Sequence, residues 1–301
     1  MDVLLLYFSQ TGNTKKVADH IAQGIRSKKG RCTISPLKGF DTSRLQEYDL
    51  VGLGFPVFYY KEPFNVRDFM ESLPPLSQQH WFIYVTHANA IGETFPLASK
   101  RLQEKGAIVV GYSNTYADTT VPFYPKPLYL HGHPDETSLR EAIEFGEEVV
   151  ELSERIEGPD SELIPEPYPV SSMYFKEQSK KLTLEYVSKI MPPYSIDKER
   201  CIECGSCMDG CPVDGIDVFS DPPRIQDPCI HCWRCVNVCP TLAIEADWSM
   251  LIDNAPHEFK HYRRELEMAE ARGEFRWHID PDTIDFSDPW IKQRERSLKK
   301  R

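Results

Sequence analysis

The sequence predicts two folded parts: an α/β domain on a doubly wound, five-stranded parallel sheet, then a small α+β module organised by cysteines. Three observations lead there. Short apolar runs alternate with helical periodicities over roughly the first half of the chain. The first of these runs ends in a hydroxyl-rich loop that opens a helix. Eight of the nine cysteines fall in two copies of one spacing. A length of 301 residues also suits two domains.

Val3-Leu4-Leu5-Leu6-Tyr7-Phe8 is apolar without alternation, as a strand buried on both faces should be. Ser9-Gln10-Thr11-Gly12-Asn13-Thr14 follows, then a helix in which Val17, Ala18, Ile21, Ala22 and Ile25 share a face. Arg31–Ser35 reads as the second strand. Tyr48–Gly54 leads the third, which ends in Phe55-Pro56-Val57-Phe58-Tyr59-Tyr60. Helical spacing of Phe64, Val66, Phe69 and Met70 comes next, then a strand over Trp81–Thr86 and a helix over Phe95–Lys105. Ala107–Tyr112 is the fifth strand, and a helix over about 136–155 closes the domain. In such a sheet the ligand lies at the carboxyl ends of the strands, which places loops 9–14, 54–60 and 86–92 together.

The first loop is a phosphate cradle. Backbone N–H groups of residues 10–14 point at an anion at the helix start, Gly12 permits close approach, and the hydroxyls of Ser9, Thr11 and Thr14 donate. It lacks GxxxxGK[ST] and GxGxxG, which argues against a nucleoside triphosphate or a dinucleotide. An uncharged, hydroxyl-rich loop of this kind resembles the phosphate loop of flavodoxins. The resemblance covers roughly residues 1–155 and implies FMN, held at its phosphate by Ser9, Gln10, Thr11, Gly12, Asn13 and Thr14. It further implies that Pro56, Val57, Phe58 and Tyr59 flank the flavin ring, with Phe55 and Tyr60 offering further rings. Thr86, His87, Ala88, Asn89 and Gly92 then serve its pyrimidine edge. Taken alone, His87 reads first as a solvated loop histidine. Residues 113–134, rich in Tyr and Pro, depart from the short flavodoxins and read as a lid, a docking surface or a stiff loop. The His131-Gly132-His133 pair has no carboxylate partner in sequence and is assigned no metal.

The cysteines are Cys201, Cys204, Cys207 and Cys211 before Pro212, and Cys229, Cys232, Cys235 and Cys239 before Pro240. Each set reads C-x2-C-x2-C-x3-C-P, the run that binds two 4Fe–4S clusters, the fourth cysteine of each run serving the other cluster. One cluster then takes Cys201, Cys204, Cys207 and Cys239, and the other Cys229, Cys232, Cys235 and Cys211. Zinc needs neither the third cysteine nor the proline, and closely spaced thiols suit a metal better than mutual disulfides. Cys32, in an apolar stretch, reads as a core thiol. A shift of 28 residues superposes the copies, Ile202 on Ile230 and Ile216 on Ile244, so two halves should pack about a pseudo-twofold axis. Gly205-Ser206 in one copy becomes Trp233-Arg234 in the other, so the clusters need not be equivalent.

This module resembles a bacterial-type two-cluster ferredoxin over about residues 194–248. Residues 195–250 hold four basic against ten acidic side chains, which suits docking to a basic patch on a redox partner protein. The expected division is a flavodoxin-like domain over 1–156, a connector over 157–193 with a helical stretch at 171–190, a ferredoxin module over 194–250, and a helix and basic tail over 251–301. The helix spans about 255–273, and the basic tail reads first as solvated and frayed, or else as touching an acidic surface such as this module's own. A net charge of −11 without a basic stripe argues against nucleic acid. No run is long and apolar enough to span a bilayer, and a cytoplasmic protein of an oxygen-poor cell is expected.

Together the halves resemble flavodoxin–ferredoxin fusion proteins. The resemblance implies an electron-transfer flavo-iron–sulfur protein with two 4Fe–4S clusters and FMN, handing electrons to a redox partner. An FMN-dependent reductase of a small molecule, motivated by residues 113–134 and the open aromatic loop, is the alternative. A sensor or scaffold without turnover is a third.

Overall fold

Val3, Leu4, Leu5 and Leu6 are wholly inaccessible to solvent and form the centre of β1 (Asp2–Tyr7). In the computed structural model, which describes residues 1–168 and 172–300, β1 lies inside a five-stranded sheet. Its companions are β2 (Arg31–Pro36), β3 (Leu50–Pro56), β4 (His80–His87) and β5 (Ile108–Tyr116). The order is β2-β1-β3-β4-β5 and every pairing is parallel. Parallel strands need covered faces. Helices α1 (Asn13–Ser27), α2 (Phe64–Ser72), α3 (Thr94–Glu104) and α4 (Glu136–Arg155) provide the cover. Val17, Ile21 and Ile25 of α1 and Ala142 and Val149 of α4 share one core with Val3, Leu5, Phe82 and Val110 of the sheet. Strand order reverses between β1 and β3, and a doubly wound sheet opens its ligand crevice at such a switch point. The flavodoxin-like doubly wound sheet is thus present.

The strands run further than expected at the ends that matter. β4 continues to His87 and β5 to Tyr116, with Val85 opposite Asn114, Thr86 opposite Thr115 and His87 opposite Tyr116. His87 is therefore a buried strand residue, not a solvated loop histidine. Cys32 on β2 is only partly buried, packed at the margin of the core, and burial still pushes its thiol up to about 11.

The chain divides into two units, one of Met1–Ala117 with Gly132–Leu182, the other of Asp118–His131 with the chain from Thr183 onward. The packing thus draws the boundary differently from the expected 156/157. The connector's helical stretch is broken in two. Ser171 lies outside the described residues. Helix α5 (Met173–Lys181) belongs to the first unit and α6 (Leu184–Ile190) to the second. The break has a local cause: Thr183 caps α6, its side chain accepting from the Tyr186 N–H at 3.2 Å.

In the second unit the 28-residue repeat is structural. Helix α7 (Ser206–Gly210) and helix α8 (Arg234–Val238) stand 28 residues apart. So do the left-handed residues: Glu203, Gly205 and Asp214 (φ 51°, 73°, 53°) answer to His231, Trp233 and Leu242 (φ 51°, 56°, 55°). Strand β6 (Ser195–Ile196) pairs antiparallel with β9 (Ile244–Glu245), and β7 (Ile216–Asp217) with β8 (Arg224–Ile225).

Most of the Tyr- and Pro-rich excursion belongs to this second unit. Asn237 Nδ2 donates to the Thr120 carbonyl at 2.8 Å, and Phe123 stacks on Trp248 with centroids 5.9 Å apart. Tyr129 stacks on Phe259 of helix α9 (Ser249–Ala271) at 5.1 Å. Helix α9 begins before the expected 255 and runs through Pro256, while Asp247 accepts from the Ser249 N–H at 3.0 Å at its start. It stops as expected near Gly273, whose φ is 75°. The basic tail is not simply frayed. It forms α10 (Trp290–Leu298), where Arg294 donates to the carbonyls of Val236 and Cys239, each at 2.7 Å. Among the described residues, no helix is long and apolar enough to cross a membrane.

Candidate functional site

The first site is built from three loops at the carboxyl ends of β1, β3 and β4. Gly12, at φ 103°, is the N-cap of α1 and has no side chain with which to cap it. A Cβ at Gly12 would meet nothing within 4 Å, so the left-handed backbone requires glycine here, not lack of space. Ser9 Oγ accepts from the N–H groups of Gly12 (3.1 Å) and Lys15 (3.4 Å), which folds the loop back on the helix start. The first turn of α1 carries no acidic residue, leaving the positive end of its dipole uncompensated. Lys15 is held by Asp19 at 2.8 Å, and Lys16 Nζ donates to the Pro134 carbonyl. What the loop offers a ligand is thus backbone and hydroxyl dipoles. Thr11 is exposed, whereas Thr14 is buried with its hydroxyl 2.9 Å from that of Thr86.

The second loop is pinned to the third. Val57 N–H donates to the Thr86 carbonyl at 2.8 Å, and Glu93 N–H to the Tyr60 carbonyl at 2.9 Å. Phe58 and Lys61 exchange backbone hydrogen bonds around Tyr59 and Tyr60, which have φ of 53° and 62°. Two adjacent left-handed tyrosines in a tight turn are strained, since glycine or asparagine usually fills such positions. The turn leaves Phe58 and Tyr59 partly exposed, Phe58 edge-on to Phe8 at 6.1 Å and Tyr59 beside Phe64 at 5.9 Å. Phe55 is buried in β3, and Tyr60 turns away to Phe175 of α5 at 4.8 Å, so neither offers a ring to the crevice.

In the third loop Asn89 Nδ2 is buried and has no hydrogen-bond partner among the described residues. An orphan donor of this kind is satisfied by a ligand carbonyl or ring nitrogen. His87 Nε2 meets Asn114 Oδ1 at 3.0 Å, and its ring lies 4.3 Å from that of Tyr116, so it sits among strand residues. Gly92 has a packing task of its own. Its φ is 55°, and a Cβ there would strike the Tyr60 carbonyl, so it serves the packing of two loops. Pro56 closes β3, and Ala88 lies between His87 and Asn89. The residues present fit a planar, phosphate-bearing heteroaromatic ligand.

The second site consists of two cavities in the repeat. Cys201, Cys204, Cys207 and Cys239 line one, with Ile196, Val218 and Ile244 among its walls. Cys211, Cys229, Cys232 and Cys235 line the other, with Ile216, Ile225 and Ile230. Each cavity thus gathers three cysteines of one run and the fourth of the other. The fourth cysteine of each run is treated alike: Cys211 Sγ accepts from Gly215 N–H at 3.3 Å, and Cys239 Sγ from Ala243 N–H at 3.2 Å. Four soft sulfurs around a dry cavity suit an iron–sulfur cluster.

The comparisons with known proteins agree with both halves. Residues 4–107 match the flavodoxin domain model, and residues 193–240 the 4Fe-4S dicluster domain model. The chain joins a flavodoxin domain to a 4Fe–4S dicluster domain. Among solved structures, a flavodoxin from the domain Archaea is similar at 21% identity and a TM-score of 0.41, over 51% of this chain and 99% of that one. The two-electron reduced flavodoxin of Megasphaera elsdenii is similar at 20% identity and a TM-score of 0.39, over 48% and 98%. Flavodoxin 1 of Bacillus cereus gives 21% and 0.39, over 50% and 98%. No curated protein matches the chain. A flavodoxin domain implies FMN and a dicluster domain implies 4Fe–4S chemistry, so these are the parts of an electron-transfer flavo-iron–sulfur protein.

Burial pushes the Cys232 thiol up to about 12 and raises those of Cys207, Cys229 and Cys235, so a cluster held by these sulfurs must displace their protons. Cys204 is exposed, and a hydrogen bond with the Ser206 hydroxyl lowers its thiol instead. Sequence reading missed His231 and its partners. His231 is buried between ligands, Nδ1 3.3 Å from Tyr194 Oη and Nε2 3.1 Å from Ser188 Oγ. Its place inside a C-x2-C step was a usable signal; nothing in the sequence singled out Ser188 or Tyr194.

Proposed function

We propose that the chain passes single electrons between two 4Fe–4S clusters and FMN, and on to a redox partner protein. The observation that carries this is the pair of separate four-cysteine cavities in a chain that also has the three-loop crevice. When bound, FMN exchanges one or two electrons and each cluster one. Cys201, Cys204, Cys207 and Cys239 hold one cluster, and Cys211, Cys229, Cys232 and Cys235 the other. The Ser9–Thr14 loop holds the FMN phosphate through N–H groups and hydroxyls. Phe58 and Tyr59 flank the ring and exclude water, which disfavours added negative charge on it. Asn89 supplies a donor to its polar edge.

The acidic dicluster surface suits a basic partner, and the oxygen sensitivity of exposed clusters fits a cytoplasmic setting in an oxygen-poor cell. Residues 118–131, one motivation of the reductase reading, pack within the second unit. The test is stoichiometry on protein purified without oxygen. About eight irons with matching sulfide and one FMN per chain are expected. Half the iron would leave one cluster, and full iron without flavin would leave no relay.

A further inference from the structure

Two repeats related by a 28-residue shift would be equally covered if nothing else packed on them. They are not. Ile202 is 62% exposed and its equivalent Ile230 2%. Cys204 is exposed, while its equivalent Cys232 is 8% exposed. Glu203 faces solvent where His231 is buried. The cover comes from outside the repeat. Ser188 of α6 and Tyr194 hold His231, and Phe123 closes edge-on at 5.5 Å over Trp233, which stands where the first copy has Gly205. The second copy is covered at Ile230 and Cys232, and the first is left open at Ile202 and Cys204.

We propose that the cavity of Cys201, Cys204, Cys207 and Cys239 is the port for electron exchange with a separate one-electron carrier protein whose docking face is basic around an apolar centre. This rests on the two-cluster reading. Electron transfer weakens exponentially with distance, so an exposed ligand such as Cys204 marks the productive approach. Ile202 lines this cavity and stands out from it, and Phe219, 68% exposed, follows the lining residue Val218. Exposed apolar side chains of this size suit the centre of a protein interface.

The rim settles the sign of the partner. Glu199, Glu203 and Asp209 are exposed, and no ion pair among the described residues involves them. The neighbouring cations are already occupied: Lys198 by Asp221 at 2.6 Å, and Arg200 by Asp197 at 2.6 Å and by Glu245. The rim therefore offers unneutralised negative charge, which attracts a basic face and repels a second copy of this chain. The exchange makes and breaks no bond. The acceptor gains one electron, and the four-cysteine site holds one unit less negative charge.

The experiment uses holoprotein purified without oxygen, with its iron counted, and ferricytochrome c as a basic one-electron probe. Binding is followed by calorimetry at low and at physiological ionic strength. Glu203→Lys with Asp209→Lys should weaken binding on the order of tenfold and flatten its salt dependence. Phe219→Lys should weaken it without changing the iron count. Met250→Lys, an exposed apolar side chain on α9, should bind like wild type. Independently, when a chelator strips iron in the presence of iodoacetamide, mass spectrometry should find Cys201, Cys204 and Cys207 alkylated before Cys229, Cys232 and Cys235. Unchanged binding in the rim variant, equal loss in Met250→Lys, self-association through this face, or alkylation beginning at the covered site would each overturn the port. Iron well below the two-cluster count would sink the two-cluster reading and the port with it; full iron with unaltered binding would sink the port alone.

Discussion

The hydroxyls of Thr14 and Thr86 lie 2.9 Å apart in a buried contact that ties the first turn of α1 to the end of β4. Thr14 is thus positioned by a residue 72 places away. Thr86 also accepts, through its carbonyl, the Val57 N–H of the second loop. One short stretch of β4 therefore holds both other loops of the crevice in register.

That contact makes a prediction about FMN. Thr14→Ala removes the hydroxyl expected at the phosphate and should cost about 1–3 kcal/mol of binding. Thr86→Val leaves the phosphate loop's own atoms in place but strands the Thr14 hydroxyl. It should weaken FMN binding in the same direction and by less. Titration of flavin-free protein by quenching of flavin fluorescence measures both; full affinity in Thr86→Val would show that the contact does not position Thr14.

His80 opens β4 with Nδ1 2.8 Å from Ser153 Oγ of α4, and burial holds its pKa below the ordinary 6.5. A histidine depressed in the folded state resists protonation there and accepts it when unfolded. Its contribution is fully present above 6.5 and is lost as pH falls toward and through the lower folded value. The flavodoxin domain should therefore melt at lower temperature on the acid side of that point. His80→Gln should flatten this dependence, as read by FMN release on heating at a series of pH values.

Much of this architecture was legible because its signals are local. The β1 run, the polar loop after it and the helical spacing of Val17, Ile21 and Ile25 sit side by side, and the cysteine spacing carries its own ligand pattern. What escaped depended on distant partners. Gly92 is required by the Tyr60 carbonyl, a contact that no spacing encodes. His87 looked like a loop residue because β4 and β5 extend each other past the last apolar pair. Helix α9 begins at Ser249, ahead of the expected 255, and continues through Pro256. The excursion held aromatic residues and prolines, a composition that says nothing about which unit it packs on.

The crossed quartets predict matched losses of iron from unequal positions. Cys204→Ser and Cys232→Ser each remove one ligand of a different set, so each should lower the iron content from about eight to about four per chain. The consequences for the protein should differ. Cys204 is exposed, whereas Cys232 is buried in a cavity that Trp233 and His231 also line. Cys232→Ser should therefore also destabilise the dicluster domain, measured as a lower denaturant midpoint for loss of the remaining cluster absorbance.

Phe123 tests whether the excursion is a structural part of the iron–sulfur half. Its ring stacks on Trp248 and meets Trp233 edge-on, and Thr120 nearby accepts from Asn237 of α8. Phe123 is 6% exposed, so Phe123→Ala should open a cavity at a cost of about 3–5 kcal/mol. The loss should fall on the dicluster domain: cluster absorbance should bleach at lower denaturant, while FMN content and affinity stay as in wild type. A fragment beginning at residue 194, lacking residues 118–131, should lose iron faster than the full chain when challenged with a chelator. Equal retention by that fragment would mean that the repeat covers its second copy without the excursion. Weakened FMN binding in Phe123→Ala, with cluster stability unchanged, would return the excursion to the flavin and revive a substrate-facing role for it.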